Sequence, residues 1–138
     1  LECFLSEITN RMLLTGSDNK IFRSLMLQHH PHTLREFLYV DDLADGCVFL
    51  MNNYSGNETV NAGTGKEITI KALAELVAKV VGFEGLIRWD TSRPNGTPRK
   101  LLDVSKATSF GWTYKTELKE GIRLSYEDFL NNPMRAKR

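Results

Sequence analysis

Apolar side chains recur at the spacing of an α-helix in several stretches of this 138-residue chain. The best-supported helix has its apolar face at Ile70, Leu73, Ala74, Val77 and Val81. Thr69 is an acceptable N-cap for this helix, and Gly82 can end it because glycine readily adopts the left-handed conformation. The pattern therefore predicts a helix from about Thr69 to Gly82.

A second helix is predicted after a short segment rich in aromatic and β-branched residues. Phe37, Tyr39 and Val40 favour a strand, and Asp41 after them can cap a helix. The apolar stripe of that helix consists of Leu43, Ala44, Cys47, Val48 and Met51. Because such a stripe is typical of a face turned toward the core, we expect it to pack inward.

Residues 1–30 carry two weak helical patterns. They lie on either side of the turn-forming residues 15–19, and Pro31 beyond them cannot continue a helix. The pattern therefore predicts a helical hairpin at this end of the chain. We divide the chain into a helical segment of uncertain origin, residues 1–32, and one domain, residues 33–138.

Strands and helices alternate beyond the hairpin. Strands are expected at 58–62 and 86–89, followed by a short element at 105–110. A final helix begins near Leu118 and ends near Asn132. This alternation predicts a small mixed α/β domain without an internal repeat.

Composition and charge say more about the possible binding partners of the chain than about its fold. Hydrophobic residues make up 41% of the chain and charged residues 25%, as in ordinary globular domains. A formal net charge of +1 argues against nucleic acid and anionic membranes as partners. No apolar run approaches the ~20 residues of a membrane-spanning helix, and no signal-peptide pattern begins the chain. Since Cys3 and Cys47 form no CxxC pattern, we expect reduced thiols in a cytoplasmic protein.

Three local motifs could carry chemistry, although each has a simpler structural interpretation. The Gly63–Gly65 turn could receive a phosphate, yet it fits neither the P-loop nor the dinucleotide fingerprint. Asp41 and Asp42 could act as an acid–base pair, but at a helix start they more simply cap the helix. His29, His30 and His32 could bind a metal ion, but a proline interrupts this stretch, which therefore lacks the fixed geometry of a metal site.

The strongest local signal is the loop at residues 93–100. It carries three cations, Arg93, Arg99 and Lys100, on a backbone stiffened by two prolines. Arginine offers a planar fork to phosphate oxygens and lysine offers a point charge, so the loop could clamp a diphosphate. On residue types alone, a solvated basic loop remains the alternative.

Three segments in order resemble landmarks of one family. They are LREFLYVDD at 34–42, VNAGTG at 60–65 and GTPRKLLD at 96–103. The first two occur in many extended short-chain dehydrogenases that act on nucleotide sugars, whereas the third is much more specific. With similar spacing from about Thr33 to Phe129, the chain resembles the substrate-binding part of GDP-L-fucose synthases.

The resemblance implies a reaction and a set of contacts. The family epimerises GDP-4-keto-6-deoxy-D-mannose at C3 and C5 and then reduces its 4-keto group with NADPH. Its diphosphate-contacting arginine and lysine correspond to Arg35 and Lys100. We expect Asn95, where the family usually has Asp, and Arg99 to contribute less. The implied partner is a GDP-sugar.

Two parts of the family pattern have no match in this sequence, a turn that lines the nucleotide pocket and the residues that bind the cofactor and deliver a proton. The expected W-G-x-G turn before Arg35 is replaced by residues 28–34. None of the four tyrosines is followed four residues later by lysine, and no dinucleotide fingerprint is present. The Rossmann domain of the family has no counterpart here. We therefore expect neither NADPH binding nor reductase activity from these residues alone.

Two alternatives stay open at this point. The chain could be the same domain of another nucleotide-sugar epimerase or dehydratase, although GTPRKLLD argues against this. It could also be a non-enzymatic module that self-associates, forming a homo-oligomer through the face left exposed without a Rossmann domain.

Overall fold

The computed structural model describes residues 24–27, 30–92, 94 and 96–132. Its elements follow the order β1 (Ser24–Leu27), β2 (Leu34–Glu36), α1 (Val40–Asn53), β3 (Glu67–Thr69), α2 (Ile70–Val81), β4 (Leu86–Trp89), β5 (Arg99–Lys100), α3 (Ser105–Ser109) and α4 (Leu118–Asn131). This arrangement is the small mixed α/β fold that the alternating pattern predicts.

The strands form two small sheets. In one of them β1 and β4 pair in parallel, with Leu27 opposite Trp89. In the other, β2 lies between β3 and β5, antiparallel to β3 and parallel to β5. The three-stranded sheet therefore has β2 at its centre, and this strand carries Arg35.

α2 provides the centre of the core, as its sequence pattern predicts. The Thr69 hydroxyl accepts a hydrogen bond from Ala72 N at 3.1 Å, and Gly82 ends the helix with a φ of 74°. Both predicted ends are therefore confirmed. Its buried face packs with β1 and α4 in a cluster made of Leu27, Leu73, Ala74, Val77, Ala78 and Ile122.

The expected inward packing of α1 is wrong. Its apolar stripe faces outward, and Met51 is 82% exposed. The buried positions are Asp42 and Gly46. Asp42 accepts hydrogen bonds from the backbone amides of Lys115 and Thr116, and a side chain at Gly46 would meet the ring of Trp112. These contacts fix the rotation of the helix, so its apolar side stays uncovered by the described residues.

The strand and cap predicted before α1 are displaced. The strand is Leu34–Glu36 rather than 37–40, and the helix already begins at Val40. The N-cap residue is Tyr39, and it makes no capping hydrogen bond through its side chain. Asp41 lies inside the first turn of the helix, so it cannot be the N-cap residue. Its negative charge there interacts favourably with the helix dipole.

The strand predicted at 58–62 is also wrong. No neighbouring strand of the described residues pairs with this segment, and side chains hold it instead. Glu58 forms an ion pair with Lys106 of α3, and Asn61 Nδ2 donates to the carbonyl of Asp103 at 3.1 Å. An extended segment without a partner strand has no ladder of backbone hydrogen bonds.

The helical hairpin is wrong where it can be compared. Residues 24–27 form strand β1, because they pair with β4 and place Leu27 in the core. Residues 1–23 of the predicted hairpin lie outside the described residues. The boundary proposed between residues 32 and 33 therefore stays a prediction.

Candidate functional site

The register of the three-stranded sheet brings two distant cations together. β2 and β5 pair in parallel with Arg35 directly opposite Lys100. Paired residues of adjacent strands lie on the same face of a sheet, with their backbones about 4.8 Å apart. The two side chains therefore emerge next to each other, although 65 positions separate them in the sequence.

The two cations differ in their surroundings. Arg35 is half-buried, and its Nη1 donates a hydrogen bond of 2.6 Å to the carbonyl of Leu34. Lys100 is exposed at the edge of the sheet. A half-buried guanidinium beside an exposed ammonium offers one fixed and one mobile positive charge to an anion.

Arg99 lies on the other face of β5, because successive side chains of a strand alternate. Its Nε donates to Glu67 Oε2 of β3 at 2.6 Å. This hydrogen bond, and then the negative charge of Glu67, raises the pKa of Arg99 above its usual value. Glu67 therefore offsets the charge of Arg99. From the sequence, Arg99 and Lys100 are expected to belong to the same site.

A shallow cavity of about 350 Å³ lies next to Arg99. Leu101, Leu102 and Asp103 form the rest of its wall. The Asp103 carboxylate accepts hydrogen bonds from the hydroxyl and the amide of Ser105, which lower its pKa. Asn95, the fourth predicted site residue, lies outside the described residues and stays a prediction.

The Gly63–Gly65 turn does hold an anion, but the anion is internal. Glu36 Oε1 accepts hydrogen bonds from the amides of Thr64 and Gly65, the latter at 2.8 Å. Gly65 has a φ of 67°, in the left-handed region that glycine adopts easily. Since a carboxylate already occupies these amides, the turn has no vacant donor pair for a phosphate.

The aspartate pair at the start of α1 serves the fold. Asp42 is buried and accepts hydrogen bonds from Lys115 N at 3.1 Å and from Thr116 N at 2.7 Å. Asp41 is exposed in the first turn of the helix. The two carboxyl groups therefore have separate structural surroundings.

The histidine stretch offers no metal site in the part of the chain that can be compared. Among the described residues, no group of three or more His, Cys, Asp or Glu side chains is arranged to hold a metal ion. His29 lies outside these residues.

Helices of membrane-crossing length and apolarity are absent from the described residues.

Glu36 lies next to the predicted site residues and was not singled out from the sequence. Its second oxygen, Oε2, accepts a hydrogen bond of 2.7 Å from Leu102 N, just beyond β5. One carboxylate thus joins β2 to both of the other motif segments. A signal was present in the sequence, since Glu36 directly follows Arg35 in the first motif.

Individual relatives, rather than a family model, show what this chain is similar to. No family model matches the chain. GDP-L-fucose synthase 1 of Arabidopsis thaliana is 60% identical over 99 residues, which are 72% of this chain and 31% of that protein. The chain thus spans about a third of the length of the curated relatives it matches, at their C-terminal part.

Solved structures share the fold. A GDP-6-OMe-4-keto-L-xylo-heptose reductase of Campylobacter jejuni is 30% identical with a TM-score of 0.78, over 93% of this chain and 47% of that one. A GDP-L-fucose synthetase of Naegleria fowleri bound to NADP has a TM-score of 0.85 at 22% identity, over 97% of this chain and 42% of that one. These neighbours confirm the fold of a C-terminal part of extended short-chain dehydrogenases.

Proposed function

Because these residues belong to the GDP-L-fucose synthase family and span the C-terminal part of its members, we propose that they bind the diphosphate of a GDP-sugar. The observation that carries this proposal is the pairing of Arg35 with Lys100 across β2 and β5. Two cations on one face, fixed by backbone pairing, form a surface that suits two adjacent phosphate groups.

The two residues have distinct parts in this proposal. Arg35 presents a planar fork that can donate two parallel hydrogen bonds to phosphate oxygens. Lys100 adds a point charge and can follow the diphosphate because its side chain is exposed. Arg99 contributes less, since any phosphate must compete with Glu67 for it. Asn95 is a further candidate for a contact with the substrate.

The chemistry of the family needs more than these residues. In a polypeptide that also holds a cofactor domain, they would orient GDP-4-keto-6-deoxy-D-mannose for epimerisation and for reduction by NADPH to GDP-L-fucose. Alone they carry no Tyr-x-x-x-Lys pair to deliver a proton during reduction. We expect no turnover of the keto-sugar from the 138 residues by themselves. As their cellular location we propose the cytoplasm.

Calorimetric titration with GDP and GDP-mannose tests the proposal. We expect saturable binding that weakens about tenfold or more in Arg35→Ala and in Lys100→Ala, since each variant loses a charge-assisted hydrogen bond. Lys79→Ala is the matched control, because it removes an exposed lysine from α2 and leaves the sheet unchanged. Absence of binding at millimolar nucleotide, or equal weakening by Lys79→Ala, would contradict the proposal.

The outward face of α1 supports a second candidate function, self-association of these residues. Large apolar side chains are exposed there at Leu43, Val48 and Met51. Such a patch usually marks an interface. Sedimentation equilibrium should then show a mass that rises with concentration and falls back to 15.7 kDa in Val48→Lys. A constant monomer mass would exclude this candidate.

A further inference from the structure

We propose that Glu36 is a positioning residue that holds Lys100 beside Arg35, an inference that rests on the diphosphate-binding function proposed above. Glu36 itself does not face the anion, because alternation along β2 puts it on the side opposite Arg35. It acts through backbone amides on both sides of its own strand.

Glu36 accepts three hydrogen bonds from backbone amides, and they connect segments that are far apart in sequence. Oε1 accepts from Thr64 and Gly65, which precede β3. Oε2 accepts from Leu102, which follows β5 by two residues. A single carboxylate at the end of β2 therefore ties together the strands on either side of it.

β5 depends on this tie because it is short. It contains only Arg99 and Lys100, so its pairing with β2 supplies few backbone hydrogen bonds. Pro98 O accepts from Leu34 N at 3.0 Å at one end, and Leu102 N donates to Glu36 at the other. Lys100 lies between these two anchors, and removing one of them would let its backbone leave the register.

Gly63 gives independent support for the same arrangement. A Cβ atom at this position would overlap Glu36 Oε1 and would lie 3.1 Å from Leu102 Cδ1. The φ of Gly63 is not positive, so the backbone conformation does not require glycine. The approach of the Glu36 carboxylate does, since any larger residue would displace the carboxylate from the amides.

Two variants test the contact between the Glu36 carboxylate and the backbone amides, one by changing the carboxylate and the other by changing its surroundings. Glu36→Gln keeps the size of the side chain but leaves one accepting oxygen, so it cannot serve both the turn and Leu102. Gly63→Ala keeps the carboxylate and pushes it away. Glu67→Gln is the control for the fold, because Glu67 lies in β3 of the same sheet but its carboxylate accepts a hydrogen bond from the side chain of Arg99.

The test combines amide hydrogen exchange with GDP titration over a range of salt concentrations. We expect both Glu36→Gln and Gly63→Ala to speed exchange at Leu102 about tenfold and to weaken GDP binding about tenfold. The salt dependence of GDP binding should flatten in both variants, as in Lys100→Ala, because Lys100 would no longer be held beside the diphosphate. Glu67→Gln should leave exchange at Leu102 unchanged.

Two outcomes would overturn the inference. One is undisturbed GDP affinity in both variants despite faster exchange at Leu102, which would make Glu36 purely structural. The other is unchanged exchange in both variants. If the parent chain binds no GDP, the proposed function fails on its own. The inference is then decided by a nuclear Overhauser contact between the Hα atoms of Arg35 and Lys100, which Glu36→Gln should weaken and whose full retention would overturn it.

Discussion

Arg35 and Lys100 occupy paired positions of the parallel strands β2 and β5, and this pairing places two cations on one face of the sheet. Neither side chain is neutralised by an ion pair among those found in the described residues. Like charges so close together repel each other, which costs stability unless an anion binds between them. The arrangement is therefore expected of a binding surface rather than of a stabilising one.

Arg99→Ala should weaken GDP binding much less than Lys100→Ala. The guanidinium of Arg99 is held by Glu67 at 2.6 Å on the opposite face of β5. We expect less than about a threefold change in affinity for Arg99→Ala, against tenfold or more for Lys100→Ala. Parallel calorimetric titrations check this order, and equal losses would show that Arg99 leaves Glu67 to reach the ligand.

Leu73→Ala should destabilise the fold strongly. Leu73 is fully buried between α2 and the rest of the core. Removing its side chain leaves a cavity, so the free energy of unfolding should fall by about 2–5 kcal/mol in urea titrations. Met51→Ala on α1 is the control and should change it by less than about 0.5 kcal/mol, because Met51 is largely exposed. A similar loss in both variants would mean that α1 is covered.

Gly46→Ala should also destabilise the fold, although alanine is the better helix former. A Cβ at Gly46 would lie 2.8 Å from the ring of Trp112, which is buried and cannot easily yield. Overpacking costs about 1–3 kcal/mol, which exceeds the gain of up to about 1 kcal/mol in helix propensity. Thermal unfolding of Gly46→Ala and Gly96→Ala makes the comparison, since nothing lies near a Cβ at Gly96. A stabilised Gly46→Ala would contradict the contact.

Acid should release the ion pair between Glu58 and Lys106. The hydrogen bond from Lys106, and then its charge, lowers the pKa of Glu58 below its usual value. A carboxyl group with a lowered pKa in the folded state adds stability above its unfolded pKa of about 4.3 and loses it as the pH falls through the folded value. Carboxyl NMR titration should show this lower pKa, with a return to the usual value in Lys106→Gln. An unchanged pKa in Lys106→Gln would exclude the pairing.

The predictability of the helices depended on where their partners lie in the sequence. α2 was predictable because its caps, Thr69 and Gly82, and its apolar repeat are all local. The rotation of α1 was not, because it is set by hydrogen bonds that Asp42 accepts from backbone amides more than 70 positions away. An apolar stripe shows that a helix has a hydrophobic face, but it does not show that this chain covers the face.

The strands and the site also divide into features that the local sequence indicates and features that depend on distant contacts. β2, β3 and β5 contain two or three residues each, too few for an alternating pattern to be recognised. Arg35 and Lys100 could be named from the motifs, whereas their pairing and the bond from Leu102 to Glu36, 66 positions apart, depend on tertiary structure. The family resemblance therefore suggested the ligand and these two residues, and the register places both of them on one face of the sheet.

A double-mutant cycle on GDP affinity tests the central claim most directly. If Arg35 and Lys100 grip one diphosphate, the single alanine variants should each lose about tenfold or more, and the double variant should lose clearly less than the product of the two, with a coupling above about 0.5 kcal/mol. Losses that multiply without coupling, or single variants that bind GDP like the parent chain, would contradict the claim that these paired cations form one diphosphate site.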